Sequence, residues 1–186
     1  MRPAFVFSSR LLLFWLLFFA IFRIWFIAWF HNEWSPTAPF SAWKSLWHAI
    51  PLDLSMSGYL IAVPVLLWFA GVLAGSARYP VFVCSISVLH IILIAAMVLV
   101  FGSNIFIYEE WHTVVNKRAL YYASTPRALA DSMSLPFKFV AIGLYFGLFW
   151  MMWRLYKWIT GTPIFPQKAS RKAFLAFPVL AGLIFL

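Results

Sequence analysis

Residues 11–30 read LLLFWLLFFAIFRIWFIAWF and contain a single charged residue, Arg23. A helix needs about 20 apolar residues to cross the hydrocarbon core of a bilayer, and this stretch has that length. Arg2 and Arg10 precede it, which is the charge order of a secretory signal. The stretch is too long for a signal peptide and lacks a small-residue cleavage site. We therefore interpret it as an uncleaved signal anchor.

The composition of the whole chain agrees with a membrane protein. Of its 186 residues, 65% are hydrophobic, 21% are aromatic and 10% are charged, outside the range of soluble globular domains. The formal net charge is +9, but the basic residues cluster between apolar runs, as topology signals do, so we expect no nucleic-acid partner. The single cysteine, Cys84, excludes an intrachain disulfide and a metal site built from several thiolates.

Three further apolar segments predict membrane spans over about Leu54–Gly75, Val81–Phe101 and Phe137–Tyr156. A fifth apolar run begins at Phe174 and reaches Leu186, which is too short to cross a bilayer. We predict an all-α, polytopic transmembrane helical bundle with four full spans and a truncated fifth. In this interpretation the whole chain is one membrane anchor domain, and we expect it to be a fragment of a longer protein.

The basic residues also predict the orientation of the chain. With the N-terminus in the cytoplasm, the inner side carries a large excess of them: Arg2, Arg10, Arg78, Arg154, Lys157, Lys168, Arg171 and Lys172. The acidic residues then all fall on the outer side: Glu33, Asp53, Glu109, Glu110 and Asp131. An odd number of spans would place whatever follows Leu186 outside.

Two outer segments have the apolar periodicity of a helix lying in the membrane interface. In the first, Phe40–Ile50, Trp43 and Trp47 share one face with the two terminal residues. In the second, Tyr108–Tyr122, aromatic and aliphatic residues recur at the same spacing. We predict two outer interfacial amphipathic helices that form a shallow platform above the bilayer.

Arg23 lies well inside the first span, where a charge is costly and is usually paired or functional. Two interpretations stay open for it. Its side chain could pair with Asp53 at the outer start of the second span, or snorkel to the interface, both of which are structural roles. Alternatively, it could bind a lipid headgroup.

Two histidines are further candidates. His90 lies near the middle of the third span, and with no relay partner we predict a neutral side chain hydrogen-bonded across helices to Ser57 or Ser87. His112 follows Glu109 at the spacing used in di-metal helical bundles. The chain has no second Glu-x-x-His, so we predict a solvated helix face there and no metal site.

Two stretches, LDLSMSGYLIAVPVLL (52–67) and YEEWHTVVNKRALYYASTP (108–126), resemble the membrane domain of lipoteichoic acid synthase-like proteins. These proteins are sulfatase-type phosphoglycerol transferases of the alkaline phosphatase superfamily. The positions that carry the resemblance are Asp53, Leu54, Ser55, Tyr108, Glu110, Trp111, Asn116, Tyr122 and Pro126. The chain departs from the family after the tryptophan, where His112 and Thr113 stand in place of a common Gly-Arg pair.

The resemblance implies a fold of five spans followed by a large extracytoplasmic domain, with a threonine nucleophile and a divalent metal such as manganese. No position in this chain matches those motifs, so we expect no catalytic residue, cofactor or metal within it. The complete protein would be the enzyme, in a bacterial cytoplasmic membrane. This chain would be its anchor, with membrane lipids and the catalytic domain as partners.

Six residues are candidates for lipid-headgroup or structural polar contacts: Arg23, Asp53, Glu110, Trp111, Lys117 and Arg118. The last two lie on the second predicted interfacial helix, where their charges could meet anionic headgroups. The anchor would then hold the active site close to its lipid substrate.

Two alternatives stay open at this point. The membrane domain of a phosphoethanolamine transferase shares the superfamily and the five-span layout. A non-enzymatic scaffold or transporter subunit is the other, and Arg23 and His90 would then be the working residues. A transporter should contain a polar midplane cavity flanked by broken helices. Pro64 is the only clear helix breaker deep within a span.

Overall fold

The computed structural model describes residues 2–33, 41–117 and 134–161. Within these ranges the protein is all-α, without strands. Its four long helices are α1 (Arg2–Trp29), α2 (Ser41–Ala74), α3 (Tyr79–Trp111) and α4 (Leu135–Thr160). Short 3₁₀ turns occupy His31–Glu33 and Ser76–Arg78.

Each of the four helices is long and apolar enough to cross a membrane. The bilayer core offers no hydrogen-bond partner to backbone N–H and C=O groups, and a helix pairs these groups with each other. Long apolar segments are therefore helical in a bilayer. The chain is therefore a multi-pass membrane protein, and the four predicted full spans are confirmed. The predicted fifth run, from Phe174, lies outside the described residues.

The first predicted interfacial helix is not a separate element. Residues 41–50 are helical, but they form the opening turns of α2, which continues to Ala74 through Pro51 and Pro64. A proline inside a helix removes one backbone hydrogen bond without necessarily ending the helix. The prediction of a separate helix over 40–50 is thus wrong, and Phe40 itself lies outside the described residues.

The second predicted interfacial helix is interrupted at His112. Residues 108–111 close α3, and His112 then adopts a left-handed conformation with φ of 50°. Its N–H donates to the Tyr108 carbonyl at 2.8 Å, the bond of an αL helix cap. Its ring packs edge-on against the Tyr108 ring at 5.8 Å. The prediction of one helix from 108 is therefore wrong, and residues 118–122 lie outside the described part of the chain.

The turn after His112 is held against α3 by a side chain. The Val115 N–H donates to Asn104 Oδ1 at 2.7 Å, and Asn104 lies two turns before the end of the helix. An amide side chain that accepts from a backbone N–H gives the non-helical segment a partner that it would otherwise lack. The chain therefore bends back at this end of α3 instead of continuing as a helix.

The chain divides into two compact units. The first comprises Met1–His90 together with Leu155–Leu186, and the second comprises Ile91–Arg154. In the first unit α1 packs against α2, and Phe7 stacks on Trp68 with their ring centroids 6.2 Å apart. In the second, the Tyr145 hydroxyl of α4 donates to the Ala95 carbonyl of α3 at 3.2 Å.

The apolar core of the first unit is built largely from one face of α1. The side chains of Leu11, Phe14, Trp15 and Phe18 are fully buried, at the i, i+3, i+4, i+7 spacing of a helix face. Phe14 and Trp15 make an edge contact at 5.0 Å. Large aromatic rings supply extensive contact area, so this face fixes α1 in place. The fixed helix in turn positions its two arginines, Arg10 and Arg23.

The His112 cap predicts the effect of two substitutions there. We expect His112→Gly to be tolerated better than His112→Val, because glycine adopts positive φ without steric cost, although it loses the ring contact with Tyr108. We expect His112→Val to destabilise the protein by about 1 kcal/mol or more, because a β-branched residue is strained in that region. The melting temperatures of both variants in detergent check this, and equal melting temperatures would contradict the cap.

Candidate functional site

Arg23 and Asp53 form an ion pair between α1 and α2. The Arg23 Nη2 atom lies 2.7 Å from Asp53 Oδ1, and the two side chains are 28% and 14% exposed. Asp53 was predicted at the start of the second span, but α2 begins at Ser41, so the carboxylate lies well inside the helix. The predicted pairing is confirmed by this contact.

The helices that carry the pair are antiparallel, which explains the match in depth. Phe7 of α1 meets Trp68 of α2, and Arg23 meets Asp53, so residue numbers rise along one helix as they fall along the other. The Ser57 hydroxyl donates to the Asp53 backbone carbonyl at 2.7 Å. The Asp53 carboxylate accepts a hydrogen bond from the Arg23 guanidinium. The structure therefore ties α1 to α2 through a charge pair near one end.

The guanidinium of Arg23 is only partly used. Its Nε atom is buried and has no hydrogen-bond partner among the described residues. A guanidinium carries five N–H donors, and one of them reaches Asp53. Removing one partner of a partly desolvated pair strongly destabilises the folded protein, because the remaining charge is left without its counterion.

His90 of α3 is fully buried and does not make the predicted contacts. Its Nδ1 atom lies 2.8 Å from the carbonyl of Ile86 in its own helix. The hydroxyls of Ser57 and Ser87 donate instead to the carbonyls four residues before them. The prediction of a bond from His90 to either serine is wrong, because serine hydroxyls in helices readily reach their own backbone.

The His90 ring packs against Tyr156 of α4. Their ring centroids are 4.5 Å apart and the planes are inclined by 25°. Phe14 of α1 also makes an edge contact with Tyr156, with the ring centroids 5.4 Å apart. The Nε2 atom of His90 is buried without a partner among the described residues. His90 therefore acts as an aromatic packing residue that joins α3 to α4.

Arg10 makes a contact that the sequence did not reveal. Its Nη1 atom donates to the Thr160 carbonyl at 3.3 Å, so a side chain of α1 caps the end of α4. The last carbonyls of a helix lack intrahelical partners, and a basic side chain there also complements the helix dipole. Arg10 was interpreted as a topology signal only, because its partner depends on where α4 ends.

The remaining candidate residues lie at the far end of α3. Glu109, Trp111 and Lys117 are exposed. The side chain of Glu110 and all of Arg118 lie outside the described residues. Because α3 ends at Trp111, Glu109 and His112 do not share a helix face, contrary to the predicted pattern. In the described part of the chain, no three His, Cys, Asp or Glu side chains come together.

Comparison with known proteins adds no relative. No protein family, curated protein or solved structure matches the chain.

The Arg23–Asp53 pair predicts a thermodynamic coupling. We expect Asp53→Asn to lower the free energy of unfolding by about 2 kcal/mol, between the values for exposed and fully buried pairs. Arg23→Leu combined with Asp53→Leu should recover part of that loss, because no unpaired charge remains. A double-mutant cycle measures the coupling from the unfolding free energies of Arg23→Leu, Asp53→Leu and the double variant in mixed micelles. Glu109→Gln is the exposed control. A coupling energy of zero would contradict the pairing.

The packing role of His90 predicts opposite effects for two substitutions. His90→Ala should destabilise the protein by about 3 kcal/mol, because it leaves a cavity between α3 and α4. His90→Phe should change stability by less than about 1 kcal/mol, because it keeps the ring and removes a buried polar atom. Thermal unfolding of both variants distinguishes them. If phenylalanine proved as harmful as alanine, the imidazole would have a polar role.

Proposed function

We propose that this chain is the membrane anchor of a sulfatase-type enzyme that transfers phosphoglycerol, or a related phosphoryl alcohol, from a lipid headgroup to an extracytoplasmic acceptor. The proposal rests on the resemblance carried by residues 52–67 and 108–126. In it, the transfer itself takes place in a catalytic domain attached to this chain, where a threonine and a divalent metal act. The four spans hold that domain at the membrane.

The observation that best supports an anchoring role is how the helices use their polar side chains. Arg23 binds Asp53, Arg10 caps α4, and the hydroxyls of Ser57, Ser85 and Ser87 donate to carbonyls of their own helices. Each of these contacts joins helices or stays within one. Such contacts favour a fixed helix assembly, whereas a transporter arranges polar groups around a substrate site.

The end of α3 is the surface that the proposal assigns to the lipid substrate. There the Asn104 side chain accepts a hydrogen bond from the Val115 N–H. Trp111, at the end of α3, and Lys117, after Val115, are both exposed. Tryptophan favours the headgroup region, and a lysine near the surface attracts anionic lipids. The surface is therefore a capped helix end followed by a bent segment, and not the flat interfacial helix predicted from the sequence. Trp111 and Lys117 belong to both descriptions.

The proposal places the protein in a bacterial cytoplasmic membrane with its N-terminus inside. The distribution of basic residues supports that orientation. Under it, the 3₁₀ turn Ser76–Arg78 and the end of α4 face the cytoplasm. The end of α3 then faces outward, on the side where the catalytic domain would meet lipid headgroups.

The enzyme proposal predicts the effect of charge reversal at the lipid surface. In the complete protein, we expect Lys117→Glu combined with Arg118→Glu to raise the KM for an anionic lipid donor on the order of tenfold, because two favourable headgroup contacts become repulsive. The release of diacylglycerol from labelled phosphatidylglycerol measures this. Arg78→Gln, in the turn between α2 and α3, is the control and should leave KM unchanged.

One result would overturn the proposal, and another would overturn only its lipid surface. If the complete unaltered protein released no diacylglycerol from phosphatidylglycerol, the proposed transfer would be wrong. If it did release diacylglycerol but the double variant kept the original KM, the anchor role could stand while the lipid surface at the end of α3 would be wrong.

A further inference from the structure

A basic side chain of α1, that of Arg10, lies at the C-terminal end of α4. Arg10 donates to the Thr160 carbonyl at 3.3 Å. Gly161 follows with φ of 60°, and its N–H donates to the Lys157 carbonyl at 3.1 Å, which is an αL cap. The side chains of Arg10 and Lys157 are both exposed. We call this place the α4 terminus.

Helix lengths place the α4 terminus at a membrane boundary. From Arg10 to Trp29, at the end of α1, the helix extends about 28 Å at 1.5 Å per residue. The hydrocarbon core of a bilayer is about 30 Å thick, so Arg10 and Trp29 fit its two edges. Trp158, next to Lys157, is 82% exposed, as expected of a tryptophan in the headgroup region.

Among the residues that the structure describes, Arg10 has no carboxylate partner. The sequence has no acidic residue in positions 1–32 or 132–186. Asp53 binds Arg23, which lies about 20 Å further along α1. The acceptor of Arg10 at the α4 terminus is a neutral carbonyl, and Lys157 adds a second positive charge one turn earlier in α4. The α4 terminus therefore brings two exposed basic side chains to the depth at which phospholipid phosphates lie.

An apolar stripe on α1 continues from Arg10 into the membrane. The exposed side chains of Leu13, Leu17, Ile21 and Ile24 follow Arg10 at helical spacing, so they share one face with it. From Arg10 to Ile21 the stripe is about 16 Å long, close to half the thickness of the hydrocarbon core, which suits one acyl chain. A cationic end joined to an exposed aliphatic row matches the form of a phospholipid.

We propose that the α4 terminus binds an anionic phospholipid, with its phosphate on Arg10 and Lys157 and one acyl chain along the α1 stripe. A guanidinium offers paired N–H donors to phosphate oxygens, and the two cations favour a headgroup of net negative charge over a zwitterionic one. The residues of this site differ from those of the substrate surface proposed at the end of α3. It does not depend on any catalytic activity.

Native mass spectrometry of the full chain in detergent tests the proposal with phosphatidylglycerol and phosphatidylcholine as probes. We expect the protein to retain phosphatidylglycerol in preference. Lys157→Gln and Arg10→Gln should each weaken retention about fivefold, whereas Arg10→Lys should keep most of it. Lys138→Gln removes one charge from the opposite end of α4 and should leave retention unchanged. Because Arg10 also caps α4, Lys157→Gln is the decisive variant if Arg10→Gln fails to fold.

Three results would overturn the proposal. Equal retention of the two lipids would show that the headgroup charge is not recognised. An equal loss in Lys157→Gln and Lys138→Gln would show a general effect of net charge. If millimolar inorganic phosphate displaced phosphatidylglycerol completely, the site would be one for free anions. Under the proposal, phosphate alone displaces little lipid, because it lacks the contacts along the α1 stripe.

Discussion

The bilayer interior offers no water to a polar group, so a polar group that this protein carries into the membrane is stabilised by a partner within the protein. The four long helices meet that requirement for the backbone. Arg23 meets it in part, through its bond to Asp53 across α1 and α2, and at the membrane boundary Arg10 binds the Thr160 carbonyl at the end of α4. These two contacts involve α1 near its opposite ends, with the buried aromatic face of the helix between them. The packing of the first unit follows from that arrangement.

Much of this fold could be predicted from the sequence, because apolar length alone identifies membrane spans. The Arg23–Asp53 pair was also predictable, since an isolated charge within a span calls for an opposite charge at similar depth. The end of α3 was not. The apolar periodicity continues past Trp111, and no glycine marks the left-handed turn that His112 makes. The continuity of α2 was equally hidden, because the periodicity of residues 40–50 and the apolar run from about Leu54 have no local sign that one helix carries both.

The candidate sites differ in the same way. The role of Arg10 depends on the exact place where α4 ends, which no local pattern in α1 encodes. His90 was singled out correctly as a buried polar residue, but its partners are a backbone carbonyl and the Tyr156 ring. Pairwise contacts between distant helices require the register of the packed helices. The sequence supplied the residues of interest, and the structure supplied their partners.

The orientation of the helices is the claim on which both the anchor and its lipid surface depend. Cysteine labelling tests it most directly: with Cys84→Ser as background, Thr113→Cys marks the segment after α3 and Ala77→Cys marks the turn between α2 and α3. A membrane-impermeant maleimide applied to intact cells should label position 113 at once and position 77 only after permeabilisation. The reverse pattern would place the end of α3 in the cytoplasm and contradict an anchor for an extracytoplasmic enzyme.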